Sequence, residues 1–378
     1  MLAGGALTMA VERTARARVG VGRWLARQVT HVGHAAALCS RAGHNLEVWR
    51  SRGTVPAAPT RCTFCGAGFE HQLVLPLRTS ADVRALGDYQ AVLCTACANA
   101  RTVPVPEESA RVITTDVQRD SMTGMQRALL RRFIRQRVAR VRPLLPSVDR
   151  PRVADVGGGA CAFANALAAT GCDVTVFEPN AANAPYAGAG VRFVAAPFDE
   201  QAVRASGLAD GTLDAITMWH ALEHVPHPPA TLALARRLLR PGGVLYVSVP
   251  NLDSLQADVS ATRWCYADIP RHLSHFSPEG LEGQMQRAGF SAVVPYWWNA
   301  EYEIFGWYQT LLNLLTGSHN YFYNRAKKGN AADAGPHPTW TRVATTLAPL
   351  LLPVALTASW CGAASSKPAC VEMHGIAS

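Results

Sequence analysis

The 378 residues, 49% of them apolar, suffice for one large α/β domain with a small accessory module, and they exclude wholesale disorder. The net charge of +9 suggests nucleic acid until it is divided: residues 1–150 hold 22 Arg against 10 acidic residues, and the remainder holds 14 basic against 17 acidic. The second half is near neutral and has no basic stripe interleaved with base-stacking aromatics, which argues against nucleic acid as the substrate.

Residues 1–57 read as an appendage, a disordered tail or an extension from a misplaced start codon, with a transit peptide as the other reading. They hold eight Arg against only Glu12 and Glu47 and leave through Val55-Pro56-Ala57-Ala58-Pro59. His31, His34, Cys39 and His44 have ligand-like spacing there but read better as loose polar residues. Met1–Ala10 lacks a charged region followed by a long apolar core, and the cysteines do not form a disulfide framework, so a reducing cytoplasm is expected.

Residues 58–104 form a cysteine module. Cys62-Thr63-Phe64-Cys65 and Cys94-Thr95-Ala96-Cys97 are two CxxC pairs separated by 28 residues, and four thiolates in such knuckles suit a tetrahedral zinc ion. Gly66 supplies the turn that lets backbone amides face sulfur. Residues 105–150 are a linker and a helix: Leu130, Phe133, Ile134, Val138 and Val141 recur at helical spacing, and Pro143 and Pro146 end it. The intervening Arg131, Arg132, Arg135 and Arg140 read as a solvated face.

From Arg152 short apolar runs alternate with helical stretches. Strands are expected at Arg152–Val156, Asp173–Glu178, Val191–Ala195, Leu213–Met218, Gly243–Val249 and Ala292–Tyr296, and helices near Ala162–Ala169, Gln201–Ser206, Pro229–Leu239 and Pro278–Ala288. Such alternation implies a mostly parallel sheet with helices on both faces. The first strand runs into Gly157-Gly158-Gly159, where a Cβ would block close approach of a ligand, and the second ends in Glu178, placed to accept hydrogen bonds from both hydroxyls of a ribose. Gly157, Gly159 and Ala162 also satisfy a dinucleotide pattern. Asp155 favours S-adenosylmethionine, because a carboxylate suits a cationic amino acid and not a pyrophosphate.

These residues resemble motif I of the class I S-adenosylmethionine-dependent methyltransferases, D-x-G-x-G-x-G, at Asp155, Gly157 and Gly159, with Cys161 in place of the third glycine. The resemblance makes Glu178 the ribose-binding acid, Asp199 an adenine-contacting acid and Phe198 an adenine neighbour. The segment Leu213–Val225 resembles the "FDxIxxxxVLEHxxxP" run of the ubiquinone-biosynthesis-like branch. Leu238–Gly243, Val249-Pro250-Asn251 and Trp264–Ser277 resemble its "LLKPGG", "VPN" and "W…D.PRHL.HFS" runs. A four-cysteine ribbon ahead of such a domain is similar to a known arrangement of the family.

The implied fold is a Rossmann-like α/β seven-stranded methyltransferase sheet with helices on both faces, its core over residues 151–297, with an N-terminal zinc ribbon and, at 298–378, a helical C-terminal insertion and the final strand, expected at Ala369–Gly375. Its implied cofactors are S-adenosyl-L-methionine and a structural zinc ion, and its partner a small-molecule methyl acceptor. His220, Glu223 and His224 follow the fourth strand and share one face of a helical turn, so they and His272 are the candidate catalytic residues; His275 is an alternative to His272, and each of these side chains can instead pin a loop. Tyr296, Trp297, Trp298, Tyr302, Phe305, Trp307 and Tyr308 line an acceptor pocket or pack a lid. Val343–Ser366 carries no charge, but Pro349 and Pro353 favour a buried lid or a peripheral membrane contact over a span. Two rivals remain open at this level: an NAD(P)-dependent oxidoreductase, and a non-catalytic zinc-bearing protein that retains the fold.

Overall fold

The structure is a computed structural model that describes residues 60–68, 72–78, 89–106, 124–260, 263–296, 299–317, 319–320 and 338–378. The expected readings of residues 1–57, of Trp297 and of Trp298 lie outside the described residues. The chain divides into two units, Met1–Val55 and Pro56–Ser378, and all described residues belong to the second.

A seven-stranded sheet forms its centre. In chain order the strands are β4 (Arg152–Val156), β5 (Asp173–Phe177), β6 (Val191–Val194), β7 (Leu213–Trp219), β8 (Leu239–Pro250), β10 (Phe290–Tyr296) and β11 (Cys370–Ala377). Their spatial order is β10-β11-β8-β7-β4-β5-β6, with β4 to β8 parallel and β11 antiparallel to both its neighbours. Every residue of β7 is buried, as a strand covered on both faces requires. Two apolar clusters lie against the sheet, one around Ile216, Met218, Leu245 and Val247, the other around Val153, Val174, Ala215 and Tyr246.

The helices are α1 (Gly124–Val141), α2 (Ala162–Ala168), α3 (Glu200–Ser206), α4 (Pro228–Leu238), α5 (Leu255–Ser260), α6 (Pro278–Arg287), α7 (Ala300–Thr316) and α8 (Pro338–Ala364). Their starts follow local chemistry. Asp199 accepts from Ala202 N at the head of α3, Ser277 accepts from Gly280 N with Pro278 next to it at the head of α6, and Asn299 accepts from Glu301 N at the head of α7. The four helices expected after Arg152 begin and end within one residue of their predicted limits. Strand β8 begins four residues early at Leu239, because Leu213 pairs with Leu239 before the register jumps to Ala215 opposite Val244. Gly242, with φ of +77°, lies in the chain between those two pairings.

Around the cysteines a second sheet has the order β1 (Gln72–Arg78), β2 (Gln90–Cys94), β3 (Asn99–Val103) and β9 (Ser274–Phe276), all antiparallel. Its last strand comes from the segment that follows β8, so the module is sewn into the larger domain. Phe64 joins the main apolar cluster and meets the Phe276 ring edge-on at 5.9 Å.

Candidate active site

The C-terminal ends of β4 and β5 form a crevice. Gly157 has φ of +71°, and a Cβ there would come within 2.7 Å of Ala221 Cβ. Gly159 has φ of +50°, and a Cβ built on it would meet nothing within 4 Å, so the backbone is open to a ligand at that point. Glu178 closes the arrangement: Oε2 accepts from Gly159 N at 3.0 Å and Oε1 from Asn180 N at 2.9 Å, leaving further lone pairs on both oxygens. Cys161, which could have obstructed the crevice, is fully buried in the apolar cluster that contains Phe163 and Val176.

Asp155 lies beneath the glycines. Its Oδ1 accepts from Thr217 Oγ1 at 2.7 Å, and burial pushes its carboxyl up to about 7 against the pull of that hydroxyl and of the Arg137 charge. Phe198 is buried and meets Phe177 edge-on at 5.1 Å, while Asp199 spends one oxygen on capping α3.

Past β7, His220 stands in the left-handed region with φ of +50°, its N–H donating to Ser248 O at 2.8 Å. Glu223 and His224 follow in a single 3-10 turn, Leu222–His224. His220 Nδ1 is 3.2 Å from Glu223 Oε1, and its ring stacks on Tyr302 at 3.9 Å between centroids. His224 instead turns to His272, with ring centroids 4.7 Å apart. Glu223 therefore lies between His220 on one side and His224 with His272 on the other.

A carbonyl only accepts, so two tautomers are fixed: His224 Nδ1–H donates to Arg271 O at 2.9 Å and His272 Nδ1–H to Tyr266 O at 2.8 Å. One nitrogen of each ring and a Glu223 carboxylate oxygen lie within 4.8 Å of one another, a grouping able to hold a cation. Burial keeps these rings neutral: it pushes His220 down to about 3, with help from the Arg137 charge, and His224 down to about 4, with help from His272. The same desolvation pushes the fully buried Glu223 carboxyl up. His275 lies deeper, its Nε2 3.1 Å from Thr102 Oγ1.

A family model described as a methyltransferase domain matches residues 125–294. Over 227 residues the chain is 32% identical to a ubiquinone/menaquinone biosynthesis C-methyltransferase of Methylobacterium nodulans, covering 51% of this chain and 87% of that one. The chain belongs to the class I S-adenosylmethionine-dependent methyltransferases. It is also 26% identical over 161 residues to a ubiquinone biosynthesis O-methyltransferase of Rhizobium rhizogenes, spanning 39% of this chain and 65% of that relative's length. Among solved structures it is similar to an S-adenosylmethionine-dependent methyltransferase of Thermotoga maritima, at 18% identity and a TM-score of 0.38, over 66% of this chain and 92% of that one.

The cysteines of this methyltransferase converge. Cys62 and Cys97 Sγ are 3.7 Å apart, as are Cys65 and Cys94, and all four lie within 4.8 Å of one another. Thiolates about 2.3 Å from a tetrahedral zinc ion have sulfur–sulfur edges of about 3.8 Å, so the four side chains fit that ion. Phe64 N–H points at Cys62 Sγ at 3.4 Å, and Gly66, with φ of +76°, returns its N–H to Cys62 O.

Sequence reasoning missed the polar network that closes the crevice of the methyltransferase. Arg137 of α1 lies over the Trp219 ring at 5.1 Å and the Tyr302 ring at 5.4 Å, and it forks onto Glu301 with bonds of 2.7 and 3.1 Å. Arg140 corrects the expectation of a solvated face. Arg131, Arg132 and Arg135 are exposed as expected, but Arg140 pairs with buried Glu372 of β11, which also accepts from Tyr246 Oη at 2.6 Å and from Asn299. The available signal was spacing: Arg137 falls between buried Ile134 and Val141 on one face of the helix. Replacing Glu372 with Ala removes the acceptor that α1, β8 and the α7 cap share. We expect it to lower the unfolding free energy by about 3–5 kcal/mol in urea denaturation, and a loss of less than about 1 kcal/mol would show the network to be incidental.

Proposed function

We propose that the chain transfers a methyl group to a small-molecule acceptor, an oxygen, carbon or nitrogen nucleophile, bound beside His220. The observation that carries this reading is the open backbone at Gly159 facing the Glu178 carboxylate. S-Adenosyl-L-methionine, when bound, supplies a methyl group on a sulfonium whose positive charge already activates the leaving sulfur. Glu178 would hold the ribose hydroxyls, Asp155 would serve the cationic amino-acid end, and Phe198 and Asp199 would neighbour the adenine.

The protein's main task is alignment and exclusion of water, which in favourable cases lowers a barrier by about 7–11 kcal/mol. A base is needed only where the acceptor must lose a proton. His220 is the residue we assign to contact with the acceptor, since its ring lies beside Glu223 and is walled by Tyr302 and Cys370. His224 and His272 hold the loop beyond it through their bonds to carbonyls.

Titration with S-adenosylhomocysteine by calorimetry tests the cofactor assignment: Glu178→Ala should weaken binding by about tenfold or more. Wild-type protein that binds NAD(H) and not this nucleoside would overturn the reading in favour of an oxidoreductase.

The second proposed group is a structural zinc ion on Cys62, Cys65, Cys94 and Cys97, suited to a reducing cytoplasm where thiols stay free. Metal analysis of purified protein should find one zinc per chain, lost in Cys62→Ser together with a lower melting temperature. Unchanged stability after complete metal removal would contradict a structural role.

The last element of this reading is peripheral contact with a membrane. Among the described residues no helix is long and apolar enough to cross one. Over residues 349–364 helix α8 turns Ala355, Ser359 and Gly362 inward and leaves Leu352, Leu356 and Trp360, four residues apart along one face, exposed to solvent. Co-sedimentation with anionic lipid vesicles should be lost in a Leu352→Glu/Leu356→Glu variant. Wild-type protein that stays in the supernatant at every lipid concentration excludes the contact.

A further inference from the structure

The cysteine module reaches the histidine loop through one hydroxyl. Strand β3 leaves the second cysteine knuckle, where Ala98 N–H returns to Cys94 O at 2.8 Å, and pairs at once with β9, Asn99 opposite Phe276 and Arg101 opposite Ser274. One residue on, Thr102 N–H donates to Leu273 O at 3.0 Å, and Leu273 N–H donates to Glu223 O at 2.8 Å. Thr102 Oγ1 lies 2.6 Å from His272 O and 3.1 Å from His275 Nε2, and all three residues are buried.

A threonine hydroxyl has a single proton. The carbonyl of His272 cannot donate, so that proton lies on the Thr102–His272 bond, and Thr102 Oγ1 must accept from His275. His275 is therefore an Nε2–H tautomer, and burial pushes its ring down to about 4, so it stays neutral at pH 7. The ring of His272 in turn faces His224. A one-residue slip of β3 against β9 would carry the Thr102 hydroxyl to the opposite face of the strand. The knuckle that closes on Cys94 and Cys97 sets where β3 begins, and hence that register.

We propose that Thr102 is a positioning residue for the acceptor side of the site: carried by the four-cysteine module, it fixes the placement of His272 and the tautomer of His275. The inference rests on the reading above that the acceptor binds beside His220 and that His224 and His272 hold the loop beyond it. It assigns the module a function beyond stability, because emptying the cysteine cluster would release the histidine loop while leaving the Gly157–Glu178 crevice, which Thr102 does not touch.

The test uses the full-length chain with histidine side chains labelled with nitrogen-15, zinc-loaded, and read by long-range proton–nitrogen NMR. The expected result is an Nε2–H signature for His275 that changes in Thr102→Val, together with a shift of the His272 ring signals, and is restored in Thr102→Ser, which keeps the hydroxyl. Removing the metal from wild-type protein with a chelator should displace the same two sets of signals, and this arm decides the question if Thr102→Val does not fold. Affinity for S-adenosylhomocysteine should agree within about twofold among the three proteins. Unchanged histidine signals in Thr102→Val or after chelation would overturn the proposal. So would failure of Thr102→Ser to restore them, or a loss of nucleoside affinity that accompanies their change. Wild-type protein that binds no nucleoside would instead refute the methyltransferase reading, and the histidine signals would still decide whether Thr102 sets the loop.

Discussion

The bond from Gly159 N–H to Glu178 Oε2 joins the ends of two neighbouring parallel strands, and the geometry of the crevice follows from it. A parallel pair brings both C-terminal ends to the same edge of the sheet, so a turn after β4 and an acid after β5 become neighbours although they are 19 residues apart in sequence. The glycines give the turn its left-handed backbone, and the carboxylate accepts the Gly159 amide of that turn with one oxygen and the Asn180 amide with the other.

A second constraint lies toward the other edge of the sheet. Glu372 lies on β11, a strand inserted between β8 and β10, and its burial is tolerable because three donors from separate elements converge on it. Those donors belong to α1, β8 and the residue that caps α7. The same helices deliver Arg137, Glu301 and Tyr302 to the rim above Trp219 and His220. A helix that precedes the domain and a helix from its last crossover thus close one crevice, held by a carboxylate that belongs to neither.

The cysteine module completes the enclosure. It contributes an edge to a sheet whose fourth strand is the segment after β8, and it shares Phe64 with the main apolar cluster. Its polar contacts extend the same way: Asn99 donates to Gly280 O, Arg101 to Pro226 O and Gln284 to Phe64 O. Buried donors and acceptors of this kind are satisfied only in one register, so the module and the domain constrain each other.

Local pattern was enough to read the alternating strands and helices, the glycine turn, the paired acid and the two CxxC knuckles, because each depends on spacing within one element or one turn. His220, Glu223, His224 and His272 were legible as a group of functional types, but their pairing was not. A left-handed residue at His220 and the partner carbonyls of Arg271 and Tyr266 decided which ring faces which. Arg137 and Arg140 looked like two more charges in a basic run, since nothing nearby in sequence shows that Glu301 and Glu372 will arrive more than 160 residues later to neutralise them. The apolar run in α8 had the composition of a buried helix, yet over residues 349–364 Ala355, Ser359 and Gly362 turn inward and Leu350, Leu352 and Leu356 outward, on a helix that packs against α7. The sequence by itself determined the layers of the fold and the methyltransferase family, because periodicity and the order of short motifs carry both. Only the tertiary structure decided the charge state and partners of the buried groups, because burial and long-range contact set those.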